Sequence, residues 1–196
     1  IANIYSIKAS LSYYKNKIIG KNNHKHVFNI KYILNIYKKK FSNFSSFNFI
    51  NKYYIPLFNG RLLIKNQAII NFVNNIPIYD KIYIGAENYV RGYEVNPLLN
   101  LPKLQDRLKW NNIIVSTLQL EFPVYKKNLL NTELLIFADW GIGYNKYSDI
   151  NIKNKLRGYG LGLRFEMIKL GGADICMGFN PYGQQIVHVI VNFKNF

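Results

Sequence analysis

Apolar and polar residues alternate with a period of two along most of the chain, which is the pattern of half-buried β-strands; helical spacing is hard to find. Tyr5, Ile7, Ala9, Leu11 and Tyr13 share one face of an opening strand, with Ser6, Lys8, Ser10 and Ser12 on the other. Phe28, Ile30, Tyr32, Leu34 and Ile36 repeat the pattern. A third run, Phe47, Phe49, Tyr53 and Ile55, is broken by Asn51 and ends at Asn59-Gly60, a dipeptide suited to a two-residue hairpin. Ile64, Ala68, Ile70 and Phe72 carry the return strand. Residues 75–110, with Pro77, Pro97 and Pro102, break the rhythm and read as a long loop. Five more strands are expected at 112–124, 131–144, 156–169, 173–180 and 184–193. The plainest of these has Tyr159, Leu161, Leu163, Phe165 and Met167 on one face, and Gly158, Gly160, Gly162, Arg164 and Glu166 on the other.

These nine runs are longer than a typical soluble strand of five or six residues, and about ten tilted residues suffice to cross a bilayer. Tyr5, Tyr13 and Tyr159 lie near strand ends, where an interfacial aromatic girdle belongs. The polar faces suit a wet lumen, and the pattern favours a membrane barrel. A soluble sandwich with its apolar face turned inward would show the same alternation.

Composition narrows the function classes. The 196 residues carry a formal net charge of +16, but the 26 basic residues include only five arginines. Lys, Asn, Ile, Tyr and Phe are the residues of A/T-rich codons, which discounts the charge as a nucleic-acid signal. The single cysteine, Cys176, excludes an internal disulfide framework, and His24, His26 and His188 are too scattered for a zinc centre. No apolar run is long enough for a transmembrane helix. The chain opens at Ile1 inside a strand, which reads as a fragment of a longer polypeptide. Lys38-Lys39-Lys40 and Lys126-Lys127 read as solvated loop ends, and the Gly158-x-Gly160-x-Gly162 run lacks the helix a phosphate loop needs. Cys176 reads as a small buried or lipid-facing residue and His188 as structural. There is no catalytic constellation, and neither metal nor cofactor is expected.

Several segments together resemble one family. Ile76 to Tyr93, ending in Val90-Arg91-Gly92-Tyr93, is similar to the inward-folded loop of the BamA-type assembly and translocation barrels, the bacterial surface antigen family. Gly85-Ala86 stands where that loop carries two glycines. Ser116 to Pro123 resembles the family strand ending in Glu-Phe-Pro, and Phe137-x-Asp139-x-Gly141 its Phe-x-Asp-x-Gly. Gly158 to Phe165 resembles its glycine-rich strand; five strands follow the loop, and the chain ends on Phe196. Lys169-Leu170-Gly171-Gly172 replaces a common Pro-x-Gly-Pro step, which is closer to plastid import channels. The likeness covers about residues 44–196.

The resemblance implies an all-β, antiparallel transmembrane barrel. Residues 1–196 would form a single C-terminal region of it, about nine strands of sixteen, with the loop at about 75–110 folded inside. It implies outer-membrane protein insertion or translocation, with substrate strands engaged at the seam or in the lumen. The membrane would be a bacterial outer membrane or the outer envelope of a plastid or mitochondrion. Partners would be lipid, unfolded or translocating proteins, accessory subunits and N-terminal docking domains outside this chain, and no nucleic acid. The competing readings are a passive pore, or the membrane anchor of an upstream enzyme domain.

Arg91 is the residue to watch. Taken alone it could be a solvated loop arginine. On the strand at 112–124, Ile113, Val115, Thr117, Gln119 and Glu121 share a face, so Glu121 points inward; Asp139 shares its face with Glu133, Leu135 and Phe137, which leaves its direction open. The resemblance implies that Arg91 latches the loop to carboxylates at Glu121 and Asp139. Its planar fork would be matched poorly by lysine.

Overall fold

The computed structural model describes residues 6–19, 22–35, 44–72, 76, 81–85, 89–93, 108–127, 129–151, 155–167 and 170–193. Tyr5, Ile36, Lys38-Lys39-Lys40, Pro77, Ala86, Pro97, Pro102, Lys169 and Phe196 lie outside the described residues, as does most of 75–110.

Alternating sequence becomes an all-β, antiparallel structure. Nine strands form one sheet in chain order: β1 (Ser6–Ile19), β2 (Asn22–Asn35), β3 (Phe44–Leu57), β4 (Gly60–Asn71), β7 (Asn112–Lys127), β8 (Leu130–Tyr144), β9 (Leu156–Met167), β10 (Gly171–Phe179) and β11 (Gln185–Phe193). β1 and β11 are its two edges. Between β4 and β7 lies a second, two-stranded sheet made of β5 (Ile82–Tyr83) and β6 (Lys109–Trp110). The reading of 75–110 as loop throughout is corrected there: these strands are two residues each, too short for a period-two signal. A single 3-10 turn at Tyr147–Asp149 is the other regular element among the described residues, and no helix is long and apolar enough to cross a membrane.

The β3–β4 hairpin also departs from expectation. Leu57 pairs with Gly60, so the turn residues are Phe58 and Asn59, not Asn59 and Gly60. Phe58 takes the positive φ of 36° and is fully exposed. Pairing along β3 and β4 sets this register, and it overrides the preference of Asn-Gly for the turn.

The two faces of the sheet are chemically opposite. On one, Tyr159, Leu161, Leu163 and Met167 of β9 are exposed, together with Val187, Val189 and Val191 of β11, Ile136 of β8, and Ile114 and Leu118 of β7. The other face carries the glycines, amides and charges, and the loop packs on it. We call these the apolar face and the loop face.

The apolar stretch moves along the strands as the sheet is crossed. Toward the loop end it reaches Phe72 beside β4, Ile114 on β7, Tyr159 on β9 and Val187 on β11. By register Ile114 lies level with Ala68, Tyr159 with Ala138, Leu118 and Ile64, and Val187 with Met177, Leu161, Ile136, Leu120 and Leu62. Each step moves the limit further from the loop end, as happens when strands are tilted against a level apolar band.

On the loop face a hydrophobic cluster forms beneath the loop. Ile84, Val90, Tyr93 and Leu108 pack on Ile69 of β4, Ile113 and Val115 of β7 and Leu156 of β9. Ile82, Tyr83, Tyr89 and Trp110 close around it. The expectation of a wet polar face is thus corrected at this end, where loop and sheet bury apolar side chains against each other.

Candidate functional site

Glycine on the sheet lets the loop come close. A Cβ built on Gly158 of β9 would land on the carbonyl oxygen of Arg91, and one on Gly143 of β8 inside the Trp110 ring. At Gly178 of β10 a Cβ would lie 2.5 Å from the Gly92 nitrogen, and at Gly141 of β8 2.6 Å from Val90 Cγ2. Gly92 itself has a φ of 95° and would place a Cβ 2.7 Å from the Phe179 carbonyl oxygen. Both its conformation and its closeness to β10 therefore call for glycine. Of the glycines on β9, Gly158 meets the loop backbone, whereas a Cβ on Gly160 or Gly162 would meet Met177 and Phe137, or Cys176 and Ile175, on the neighbouring strands.

The loop is shaped before it reaches this bed. The Ile84 amide donates to the Leu108 carbonyl at 2.8 Å and the Val90 amide to the Ile84 carbonyl at 3.1 Å. Gly85 and Val90 form an isolated parallel bridge. These contacts present Arg91 to the sheet.

Arg91 is buried and paired. Its Nε donates to Asp139 Oδ2 at 2.8 Å and its Nη2 to Asp139 Oδ1 at 2.9 Å, a bidentate fork. The Arg91 amide also donates to Asp139 Oδ2, at 3.1 Å. Its remaining arm, Nη1, donates to Gln119 Oε1 at 2.8 Å, and the guanidinium lies 3.4 Å from the centroid of the Phe137 ring. Side-chain exposure is 8% for Arg91 and 0% for Asp139, so each charge depends on the other for compensation.

Glu121 is also inward and 1% exposed, but its cations are Arg61 of β4 and Arg164 of β9. Its link to Arg91 runs through Gln119, whose Nε2 donates to Glu121 Oε1 at 2.6 Å. The pairing of Arg91 with Glu121 is corrected accordingly: Gln119, two residues earlier on the same face, occupies the space between them. Asp139 points to the loop face with Leu135 and Phe137, where buried apolar side chains are ordinary neighbours.

Gly92 and Tyr93 are held by contacts that the residue pattern alone does not single out. The Gly92 amide donates to His188 Nε2 at 2.9 Å, and Asn180 Nδ2 donates to the Gly92 carbonyl at 2.8 Å. The signal for His188 was its place as the one polar residue between Val187 and Val189, both exposed, on a strand whose other face turns inward. Asn180 is fixed in turn by accepting from the amides of Tyr182 at 2.9 Å and Gln184 at 3.3 Å.

Tyr93 repairs a strand end. β9 runs past its last partner on β10, where Tyr159 meets Phe179. The Tyr93 hydroxyl takes up the backbone left over at Arg157, donating to its carbonyl at 3.0 Å and accepting from its amide at 3.3 Å. Burial pushes the Tyr93 phenol up to about 12, so it stays protonated and able to donate.

The other end of the loop face carries a shared charge network. Arg164 Nε and Nη2 each donate to Asp174 at 2.8 Å, and Arg164 Nη1 donates to Glu121 at 2.9 Å. Glu133 accepts from Arg61 at 3.2 Å and from Arg164 at 3.4 Å. Among the described residues there is no group of three or more His, Cys, Asp or Glu arranged to hold a metal.

With this geometry in hand, a family model described as the Omp85 superfamily domain matches residues 16–168. The match spans Val90-Arg91-Gly92-Tyr93, Glu121, Asp139 and the glycine-bearing β9, and ends before Asn180 and His188. No curated protein matches the chain.

Proposed function

The chain belongs to the Omp85 superfamily, a family of outer-membrane proteins that insert or translocate other proteins without enzymatic activity, and on that footing we propose that it does the same. In this reading residues 1–196 are the C-terminal region of a transmembrane barrel, about nine of its sixteen strands. The apolar face meets lipid, the loop face lines the lumen, and Arg91 latches the loop inside. Substrate segments engage the barrel at its seam or pass through its lumen, and backbone pairing at a strand edge supplies the affinity. Lipid, unfolded or translocating proteins, accessory subunits and docking domains upstream of Ile1 are its partners.

The observation that carries the reading is the bidentate Arg91–Asp139 pair buried under a loop bedded on glycine. Removing either member leaves the other charge buried without its fork, so the pair ties the loop to β8. The exposed rows on β7 to β11, stepping along tilted strands, support lipid as the medium of the apolar face.

The test is complementation. In cells depleted of the wild-type protein, Arg91→Ala in the full-length chain should abolish assembly or import of a reporter substrate at normal protein level. Arg91→Lys should fail to restore it, because the ammonium lacks the fork. Full activity of Arg91→Ala would overturn the latch and leave a passive pore as the better description.

A further inference from the structure

Gln119 joins the two ends of the loop face into one hydrogen-bonded chain. Its carbonyl oxygen faces a guanidinium that can only donate, and its amide nitrogen faces a carboxylate that can only accept. A carboxamide satisfies both neighbours at once, and their opposite charges fix which way round it sits. Glu121, in turn, is shared by Arg61 and Arg164, and Arg164 is clamped on Asp174. The chain thus runs from the loop through β7 to β4, β8, β9 and β10.

We infer that Gln119 is a positioning residue that couples the hold on Arg91 to the charge network, so that a change in the pairing of Glu121 changes the grip on the loop. The physical route is the orientation of one amide. With Glu121 ionised, the NH2 of Gln119 is drawn to it and the carbonyl is left for Arg91. With that charge removed, the NH2 loses its anionic acceptor, and the amide is held from one side only, so its carbonyl grips the Arg91 guanidinium less firmly. A substrate segment that competed for Glu121 would loosen the loop by this route. The inference rests on the reading of the loop as latched by Arg91.

The chain carries its own reporter. Cys176, the single cysteine, lies on the loop face of β10 with 1% exposure. It packs with Leu135 and with Phe137, the ring on which the Arg91 guanidinium rests. Release of the loop uncovers this thiol.

The experiment measures N-ethylmaleimide labelling of Cys176 in the full-length protein in lipid vesicles, with any cysteine outside residues 1–196 changed to serine. Arg91→Ala sets the scale and should label faster by at least about tenfold, while Glu121→Gln should give about fivefold, within the range of coupled neighbours. In a Gln119→Leu background, Glu121→Gln should change the rate by less than about twofold. If the two effects simply multiply, the coupling is overturned while the latch stands. If Arg91→Ala leaves the rate unchanged, the latch reading has failed, and the coupling with it. Should Glu121→Gln not fold, the same cycle with Arg61→Gln decides. Non-multiplying effects of Arg61→Gln and Gln119→Leu support the coupling, and multiplying ones overturn it.

Discussion

At one end of the loop face one guanidinium meets one carboxylate beside a hydrophobic cluster, whereas toward the other end two guanidinia share three carboxylates. Arg91 and Asp139 have side-chain exposures of 8% and 0%, while Arg61 and Arg164 stand at 42% and 24%. The difference teaches what each arrangement is suited to do. A buried bidentate pair fixes one geometry, so it defines one position of the loop and is weakened when either member is removed. A shared, partly wet network redistributes its contacts and is screened by salt, so it tolerates rearrangement. The fixed end sits under the loop, and the adjustable end lies further along the same strands.

The largest effect should come from breaking the lone pair. Arg91→Ala takes its bidentate partner from the buried Asp139, and the loop-closed state should weaken by about 3–5 kcal/mol. Protease protection of the loop in lipid vesicles is the measurement. Asp139→Asn should approach the same loss, and a salt-insensitive deficit would mark the pair as dry.

Next comes the glycine bed. Gly158→Ala places a methyl group on the Arg91 carbonyl and should cost about 1–3 kcal/mol as overpacking. The same assay reads it, and near-wild-type protection would mean that the loop does not rest on β9. Tyr93→Phe removes both bonds to the Arg157 backbone and should cost about 1–2 kcal/mol. Amide exchange at Arg157 should quicken while Tyr159, paired with Phe179, stays protected.

The smallest effect belongs to the charged end. Arg61→Gln should cost about 1 kcal/mol or less, and that cost should shrink in concentrated salt. A loss at Arg61 as large as that at Arg91, unaffected by salt, would break the contrast between the two ends.

The sequence pattern made the strands and their faces legible because period-two alternation survives wherever one face is apolar. Tyr159, Leu161, Leu163 and Met167 are the clearest instance, and all four are exposed. The direction of Asp139 was harder to read because Leu135 and Phe137 share its face. The rule of one polar and one apolar face fails where the loop packs on the sheet and covers apolar side chains. Which carboxylate Arg91 meets was not legible either. It depends on cross-strand register, Thr117 opposite Asp139, and on Gln119 filling the gap to Glu121. Ile82–Tyr83 and Lys109–Trp110 escaped notice because two-residue strands have no period. Asn180 and His188 join the site only through contacts with Gly92, some ninety positions earlier, which a local pattern does not register.

The central claim is that the loop lies on the glycine wall of β8 and β9 with Arg91 turned inward. Val90 Cγ2 is 2.6 Å from where a Cβ on Gly141 would stand, so Val90→Cys with Gly141→Cys brings two sulfurs within disulfide reach. With Cys176→Ser, a protease site in the turn between β7 and β8 and any cysteine outside residues 1–196 changed to serine, oxidation of the membrane-embedded full-length protein gives the answer directly. The account predicts that the two cleaved fragments stay joined until reductant is added, and that Arg91→Ala lowers the yield. Fragments that separate without reductant, with both thiols free to label, would contradict it.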